Sequence, residues 1–306
     1  MYGLHPLADA TRAAKAILTN QIARFSPRLY VNLVGETGRG YAEERPQDVA
    51  TYFRECFRDY FSVLGIAPEH IDEFLSGKRI VEYGPGDILG MALLLVAHGC
   101  EKVTCVDRFP LLSYSEKNAA ILQDLLDGLD EEARERAAAC FTVPGKPASG
   151  LRDGPIDYVN STDGFCGLDD QVDLIFSRAV LEHVNDLPGS FADMQRALVA
   201  GGRMVHQIDL KSHGLHRQNP LDFLTWPPGL WGMMYSHKGV PNRCRVSDYR
   251  RALATSGFVK FRMQPINQAP KEVIDTVRPH LATPFRSMSD EDLSWLEFWL
   301  VADKPS

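Results

Sequence analysis

Several features that would define other protein classes are missing from these 306 residues. The six cysteines (56, 100, 105, 140, 166 and 244) include no C-x-x-C pair. That excludes the usual zinc-ribbon and dithiol layouts and makes reduced thiols in a cytoplasm the simplest expectation. The longest apolar run, MALLLVA at 91–97, is far too short to span a bilayer. No basic start leads into an apolar N-terminal stretch, so neither a signal peptide nor a membrane span is expected. A surplus of positive charge is also lacking: the net charge of −7 argues against a large nucleic-acid surface, and no nucleic-acid partner is expected. There is no internal repeat and no low-complexity segment. What remains, 44% hydrophobic and 24% charged residues, is ordinary for a globular chain with one large core, or one domain with additions.

From residue 79 onward, strand-like and helix-like segments alternate. Strands are expected at 79–84, 102–107, 156–160, 172–177, 203–210, 259–264 and 293–303. Between them lie an apolar helix at 88–99 stopped by Gly99 and helical stretches near 115–126 and 130–139. A helix at 187–202 carries Leu187, Phe191, Met194 and Leu198 on one face and a double-glycine stop, and another at 247–258 opens with a serine cap. This rhythm implies an α/β fold with a mostly parallel sheet and helices on both faces. Two segments stand apart. Residues 1–75 read as a helical N-terminal extension, and 211–245, rich in Pro, Gly, His and Trp, as an insertion after the fifth strand. In open α/β sheets that insertion falls on the carboxyl edge, where ligands bind.

The stretch IVEYGPGDILG (80–90) carries the first chemical signal. It is not a phosphate-binding P-loop, since no Lys-Ser or Lys-Thr follows the glycines. A dinucleotide fingerprint needs its third glycine three residues after the second, whereas Gly90 stands four after Gly86. Glu82, two residues before Gly84, would repel a pyrophosphate but suit a ligand with a positive charge, an amino group and hydroxyls. An acid before G-x-G resembles the first motif of the class I S-adenosylmethionine-dependent methyltransferases. The resemblance continues in order through Asp107 at the end of the second strand, NSTDGF (160–165), VDLIFSRAVLEHV (172–184), LVAGGRMVHQID (198–209) and the closing strand at 293–303, over about 225 residues. It implies a Rossmann-like fold with seven strands and S-adenosylmethionine as cofactor. The implied cofactor contacts are Glu82, Tyr83, Gly84, Gly86, Asp107, Arg108, Thr162, Asp163, Ser177 and Arg178. It also implies an S-adenosylmethionine-binding domain over 76–306, with 1–75 and 211–245 as covering elements and GETGRGY (35–41) over the cofactor.

O-methylation calls for a general base, because a protonated alcohol is a poor nucleophile. His213 follows the fifth strand with Asp209 four residues earlier, where a turn can bring the carboxylate to the imidazole. Beside them stands His183, either a second base or a brace for the cofactor loop. A metal at His206, Asp209 and His213 is not expected, since residues 206 and 209 differ by an odd number of strand positions and point to opposite faces. The chain also resembles a bacterial subgroup acting on polysaccharides or small molecules, which implies a small-molecule or glycan acceptor. In that pattern Asn242 and Arg243 border the substrate and Trp226, Trp231 and Tyr235 roof it. Packing of the insertion is an equally natural role for these aromatics. N- or C-methylation remains the alternative; a nicotinamide oxidoreductase and a non-catalytic cofactor sensor are further removed.

Overall fold

A computed structural model describes residues 6–34, 44–162, 164–165, 167–215 and 218–306. Among these residues lies a seven-stranded sheet: β1 (Arg79–Tyr83), β2 (Lys102–Asp107), β3 (Ile156–Asn160), β4 (Val172–Arg178), β5 (Leu198–Asp209), β6 (Lys260–Gln268) and β7 (Trp295–Asp303). The spatial order is β3-β2-β1-β4-β5-β7-β6. β1 pairs in parallel with both β2 and β4, and β2 with β3. The order runs outward from β1 in both directions, so the ends of β1 and β4 flank a topological switch point, the place where open α/β sheets bind ligands. No helix among the described residues is long and apolar enough to cross a membrane.

The chain divides into two compact units: residues 1–34, 178–192 and 206–300 in the first, and 35–177, 193–205 and 301–306 in the second. In the second unit, the helix Pro46–Leu64 buries Val49, Ala50, Phe53, Cys56, Phe57, Tyr60, Phe61 and Leu64. These recur at three- and four-residue intervals, the period that puts them on one helical face. Each buried phenylalanine contributes about 1.5–3 kcal/mol. The helix stops at Gly65, whose left-handed φ of 74° lets its N–H reach the carbonyls of Phe61 and Ser62. Gly90 opens the helix Gly90–Ala97 against this face: a Cβ there would stand 2.7 Å from Phe53 Cδ2. The third glycine of the loop is therefore a packing glycine, which explains its offset from the dinucleotide spacing.

The first unit has its own apolar cluster. It joins Ala13 and Ala16 of the helix Pro6–Phe25 to Leu221, Phe223, Trp231, Met234 and Tyr235 of the insertion and to Ile274, Leu281, Phe285 and Leu296. Asn20, 1% exposed, ties the two segments polarly. Its Nδ2 donates to the Met233 carbonyl at 2.9 Å, and its Oδ1 accepts from the His237 N–H at 2.8 Å.

Three local expectations need correction. The helix expected over 187–202 ends at Ala197, and β5 begins at Leu198 and runs through both glycines. The C-terminal segment supplies the reason: Gly201 N–H donates to the Pro305 carbonyl at 3.2 Å and Lys304 N–H to the Gly202 carbonyl at 2.8 Å, so these residues find ladder partners. The serine cap expected for the helix Val246–Thr255 is Arg245 instead, whose N–H donates to Asp248 Oδ2 at 2.9 Å. Ser247 lies inside the helix and donates its N–H to Asp292 Oδ1. The last strand begins at Trp295, because Asp290–Ser294 forms a short helix capped by Ser289.

Candidate active site

The first candidate site lies in the second unit, at the ends of β1 and β2. Gly84 and Gly86 take left-handed φ values of 70° and 77°, which glycine adopts without a Cβ penalty. They turn the chain so that Gly84 N–H donates to the Val106 carbonyl at 2.8 Å. Glu82 is 8% exposed and accepts the Cys105 thiol at 3.5 Å. Burial pushes its carboxyl up to about 7. Asp107, 6% exposed, is pushed up to about 6 by burial, offset by the N–H groups of Phe109 and Gly86, at 2.9 and 3.4 Å. Its backbone carbonyl is held by Asn160 Nδ2 at 3.0 Å and by Ser161 N–H at 2.9 Å. Buried carboxylates of this kind favour a ligand that brings hydroxyls and positive charge. S-adenosylmethionine fits that donor set; a pyrophosphate does not.

The remaining residues expected at the cofactor separate into groups. Tyr83 packs edge-on against Phe165, ring centroids 5.0 Å apart, and burial lifts its hydroxyl to about 12. Arg108 lies over Phe109 at 5.3 Å, and burial lowers its pKa. Ser177 is buried at the end of β4, and Thr162 follows β3. Arg178 is in the first unit, its guanidinium 5.7 Å over the Trp299 ring. Asp163 and the 35–41 stretch lie outside the described residues.

The second candidate site lies in the first unit and is a histidine–carboxylate cluster. Leu181–His183 forms a single 3-10 turn after β4. Asn242 pins this turn: its Nδ2 donates to the carbonyls of Leu181 (3.0 Å) and Val184 (2.8 Å), and its N–H donates to the Glu182 carbonyl at 2.6 Å. Nε2 of His183 and Nε2 of His213 each lie 3.8 Å from the same Glu182 Oε1. Nε2 of His213 is also 3.8 Å from Asp209 Oδ2, and the two imidazoles meet edge-on at 4.9 Å. The tight turn is visible in the backbone: His213 has φ 48° and Ala179 φ 53°, left-handed values that cost a non-glycine residue about 1–3 kcal/mol and collect at functional sites.

The charges around this cluster are unevenly compensated. Lys211 Nζ is 3.1 Å from Asp209 Oδ2 and 3.4 Å from Glu297 Oε2, and Gln207 Nε2 also donates to Glu297. Burial raises the Asp209 carboxyl, but His213 and Lys211 outweigh it and hold the group below its usual range. Glu182 has no such relief. It is 1% exposed, neither carboxylate oxygen makes a hydrogen bond among the described residues, and no lysine or arginine pairs with it. Burial pushes its carboxyl well above the ordinary value; the backbone N–H groups of Glu182 and Asp209 pull it down in part, and the charges of Asp209 and Glu297 add to the rise. An uncompensated buried carboxylate costs several kcal/mol. Burial and the neighbouring His213 lower His183 to about 3, so its imidazole is neutral at any ordinary pH.

Sequence reasoning thus placed His183, Asp209 and His213 together, and the structure brings them together. It placed Glu182 beside them without giving it a role, and overlooked Lys211 and Glu297 as the balancing charges. An acid inside the apolar strand WLEFWLVAD was the available signal for Glu297. His206 is fully buried, as the core reading expected, and is not a member of the cluster. Of the residues expected at the acceptor, Trp231 and Tyr235 are 7% exposed within the apolar cluster, and Trp226 packs against it. Arg243, 7% exposed with φ 68°, donates from Nη1 to the Trp226 carbonyl at 2.7 Å and lies over the rings of Trp231 (4.6 Å) and Phe285 (5.1 Å).

Comparison with known proteins supplies the frame for both sites. A family model described as a methyltransferase domain matches residues 51–261. No curated protein matches the chain. Among solved structures, a Haemonchus contortus phosphoethanolamine N-methyltransferase 2, bound to phosphomonomethylethanolamine and S-adenosylhomocysteine, is 17% identical with a TM-score of 0.46. The match covers 82% of this chain and 53% of that one, so the chain spans about half the length of that relative. An S-adenosylmethionine-dependent methyltransferase from Mesorhizobium loti is 20% identical over 75% of this chain and 92% of that one, TM-score 0.41. The CurJ carbon methyltransferase is 11% identical over 86% of this chain and 54% of its own, TM-score 0.39. With a family match over two thirds of its length and the strand order described above, this chain belongs to the methyltransferase-domain family and has the fold of the class I S-adenosylmethionine-dependent methyltransferases.

Proposed function

We propose that this chain methylates a hydroxyl oxygen of a small molecule or glycan, with S-adenosylmethionine as donor, in a cytoplasmic setting. Bound at Glu82, Gly84, Gly86 and Asp107, the donor supplies a methyl group on a positively charged sulfur. Glu82 and Asp107 would accept hydrogen bonds from its polar groups and offset its charge. The transfer is an in-line displacement: the acceptor oxygen forms the new C–O bond, the C–S electron pair goes to sulfur, and the hydroxyl proton must leave. The observation carrying the hydroxyl reading is the contact of His213 Nε2 with Asp209 Oδ2 beside the neutral imidazole of His183. In this reading His213 takes the proton and Asp209 stabilises the imidazolium that forms. A nitrogen acceptor present as the neutral amine attacks without prior loss of a proton, so it makes less use of such an arrangement. Trp226, Asn242 and Arg243 belong to the acceptor side, Asn242 as the residue that positions the 181–184 turn, with the 211–245 insertion and the N-terminal helices as cover.

The test is methyl incorporation from labelled donor into paired acceptors that differ only in a free or a blocked hydroxyl. Incorporation confined to the free hydroxyl supports the reading. Equal incorporation into an amine or carbon acceptor with the hydroxyl blocked overturns it.

A further inference from the structure

Glu182 poses the sharpest unanswered question in the molecule. Its carboxylate is 1% exposed, both oxygens lack a hydrogen bond among the described residues, and Oε1 is aimed between two imidazole nitrogens at 3.8 Å. The other two carboxylates of the region share Lys211, whereas Glu182 has two imidazoles as its ion-pair neighbours among the described residues. A buried carboxyl group with two imidazole nitrogens beside one of its oxygens is an arrangement that a cation completes.

We infer that Glu182, His183 and His213 form a binding site for a divalent first-row transition-metal ion. One donor atom from each of the three lies within 4.8 Å of the others. Some point in space is then within about 2.8 Å of all three, and side-chain shifts of under an ångström reach the 2.0–2.2 Å typical of nitrogen and oxygen ligands. Two imidazoles with one carboxylate suit zinc, manganese, cobalt or iron rather than calcium or magnesium, which prefer all-oxygen shells. The outer shell is also in place. Asn242 fixes the 181–184 turn, carbonyls of Val240 and Gly239 face the His183 ring, and Asp209 Oδ2 stands 3.8 Å from the same Nε2 of His213 that faces Glu182. His183 and His213 keep 25% and 30% of their side-chain surface exposed, which leaves an entry path and an open coordination position.

For its chemical consequence the inference rests on the hydroxyl-acceptor reading. With an ion in place, Nε2 of His213 is a ligand, and lowering the hydroxyl's proton affinity passes from the imidazole to the ion. The nearest carboxylate left to receive the proton is Asp209. The O–H bond then breaks toward Asp209, the oxygen bonds to the methyl carbon, and the C–S pair stays on sulfur.

Binding is tested without activity. The full chain, stripped with a chelator and dialysed, is titrated with manganese, zinc and magnesium by calorimetry, with manganese also followed by electron paramagnetic resonance. One manganese or zinc ion per chain should bind, with magnesium much weaker. Glu182→Gln and His213→Ala should each weaken binding at least about tenfold, and His70→Ala, an exposed histidine beside Glu73, should not. Thermal unfolding guards against misfolded variants: Glu182→Gln should keep a cooperative melt in the stripped chain, yet lose the rise that metal gives the wild type. No stoichiometric binding, or binding unchanged in both variants, overturns the site. Methylation of a hydroxyl at full rate by the stripped chain also overturns it while sparing the hydroxyl reading. Metal binding by a chain that methylates no hydroxyl leaves the site standing and sinks that reading.

Discussion

The two candidate sites handle buried acid in opposite ways. At the ends of β1 and β2, Glu82 and Asp107 are buried beside a thiol and backbone N–H groups, and both are pushed up only to about 7 and about 6. In the histidine–carboxylate cluster, Asp209 and Glu297 share the charge of Lys211, and Glu182 has no lysine or arginine partner among the described residues. The first site holds its acids with a local thiol and backbone N–H groups. The second leaves one acid so poorly served that something outside the chain's own side chains is needed to balance it. Burial raises the pKa of an acid in both places; what differs is the partner that burial leaves behind.

Substitutions separate the two. His213→Ala has the largest expected effect, a fall in turnover of about 10²–10⁴-fold with little change in S-adenosylhomocysteine affinity, read by steady-state rates and calorimetry. Asp107→Ala should do the reverse. It removes a charged hydrogen bond of about 1.5–3 kcal/mol and should weaken S-adenosylhomocysteine about ten- to a hundredfold. If either variant loses both properties while remaining folded, the division of labour between the sites is wrong. Gly90→Ala sharpens the comparison from the packing side. Its methyl would meet Phe53 at 2.7 Å and should destabilise the chain by about 1–3 kcal/mol in a denaturant titration.

The smallest effect is a pH dependence with two signs. Glu82 and Asp107 have folded values of about 7 and about 6, above the ordinary range of carboxyl groups. For an acid raised by burial, the folded chain binds more protons than the unfolded one. The cost of burying its charge is therefore present above the folded value and is relieved as pH falls through about 7 and then about 6. These two groups alone make the ligand-free chain more stable on mild acidification. Binding of the cationic donor should move the other way, full above about 7 and weakening as the carboxylates protonate. Calorimetric titrations with S-adenosylmethionine at pH 8, 7 and 6, beside melting curves of the free chain, check both signs. Donor affinity that rises toward pH 6 would remove Glu82 and Asp107 from the site.

Much of the second unit was legible because its signals are local. A strand, a turn demanding left-handed φ and a following helix occupy about twenty consecutive residues, so the motif order at 82–86 and 107 translates directly into backbone geometry. Helix and strand ends were less legible where distant partners decide them. The double glycine at 201–202 reads as a helix stop, yet the C-terminal segment draws it into a strand. Trp231 and Tyr235 read equally well as a substrate roof or as core, two roles that are not exclusive, and their burial in the apolar cluster came only with the tertiary structure.

The sequence by itself determined the family, the strand–helix rhythm and the acids of the glycine loop, because each depends on neighbours a few residues away. Tertiary structure alone decided the distances around Glu182. In the chain it is the acid of an L-E-H triplet, separated from His213 by thirty-one positions and from Asn242 by sixty. The neighbouring strand ends put the 181–183 turn beside Asp209 and His213, but nothing local fixed which atoms would meet. A turn pinned by the Asn242 amide and a left-handed residue at 213 set three donor atoms within 4.8 Å of one another. Such contacts depend on how the chain closes over long separations, and local patterning carries no record of that closure.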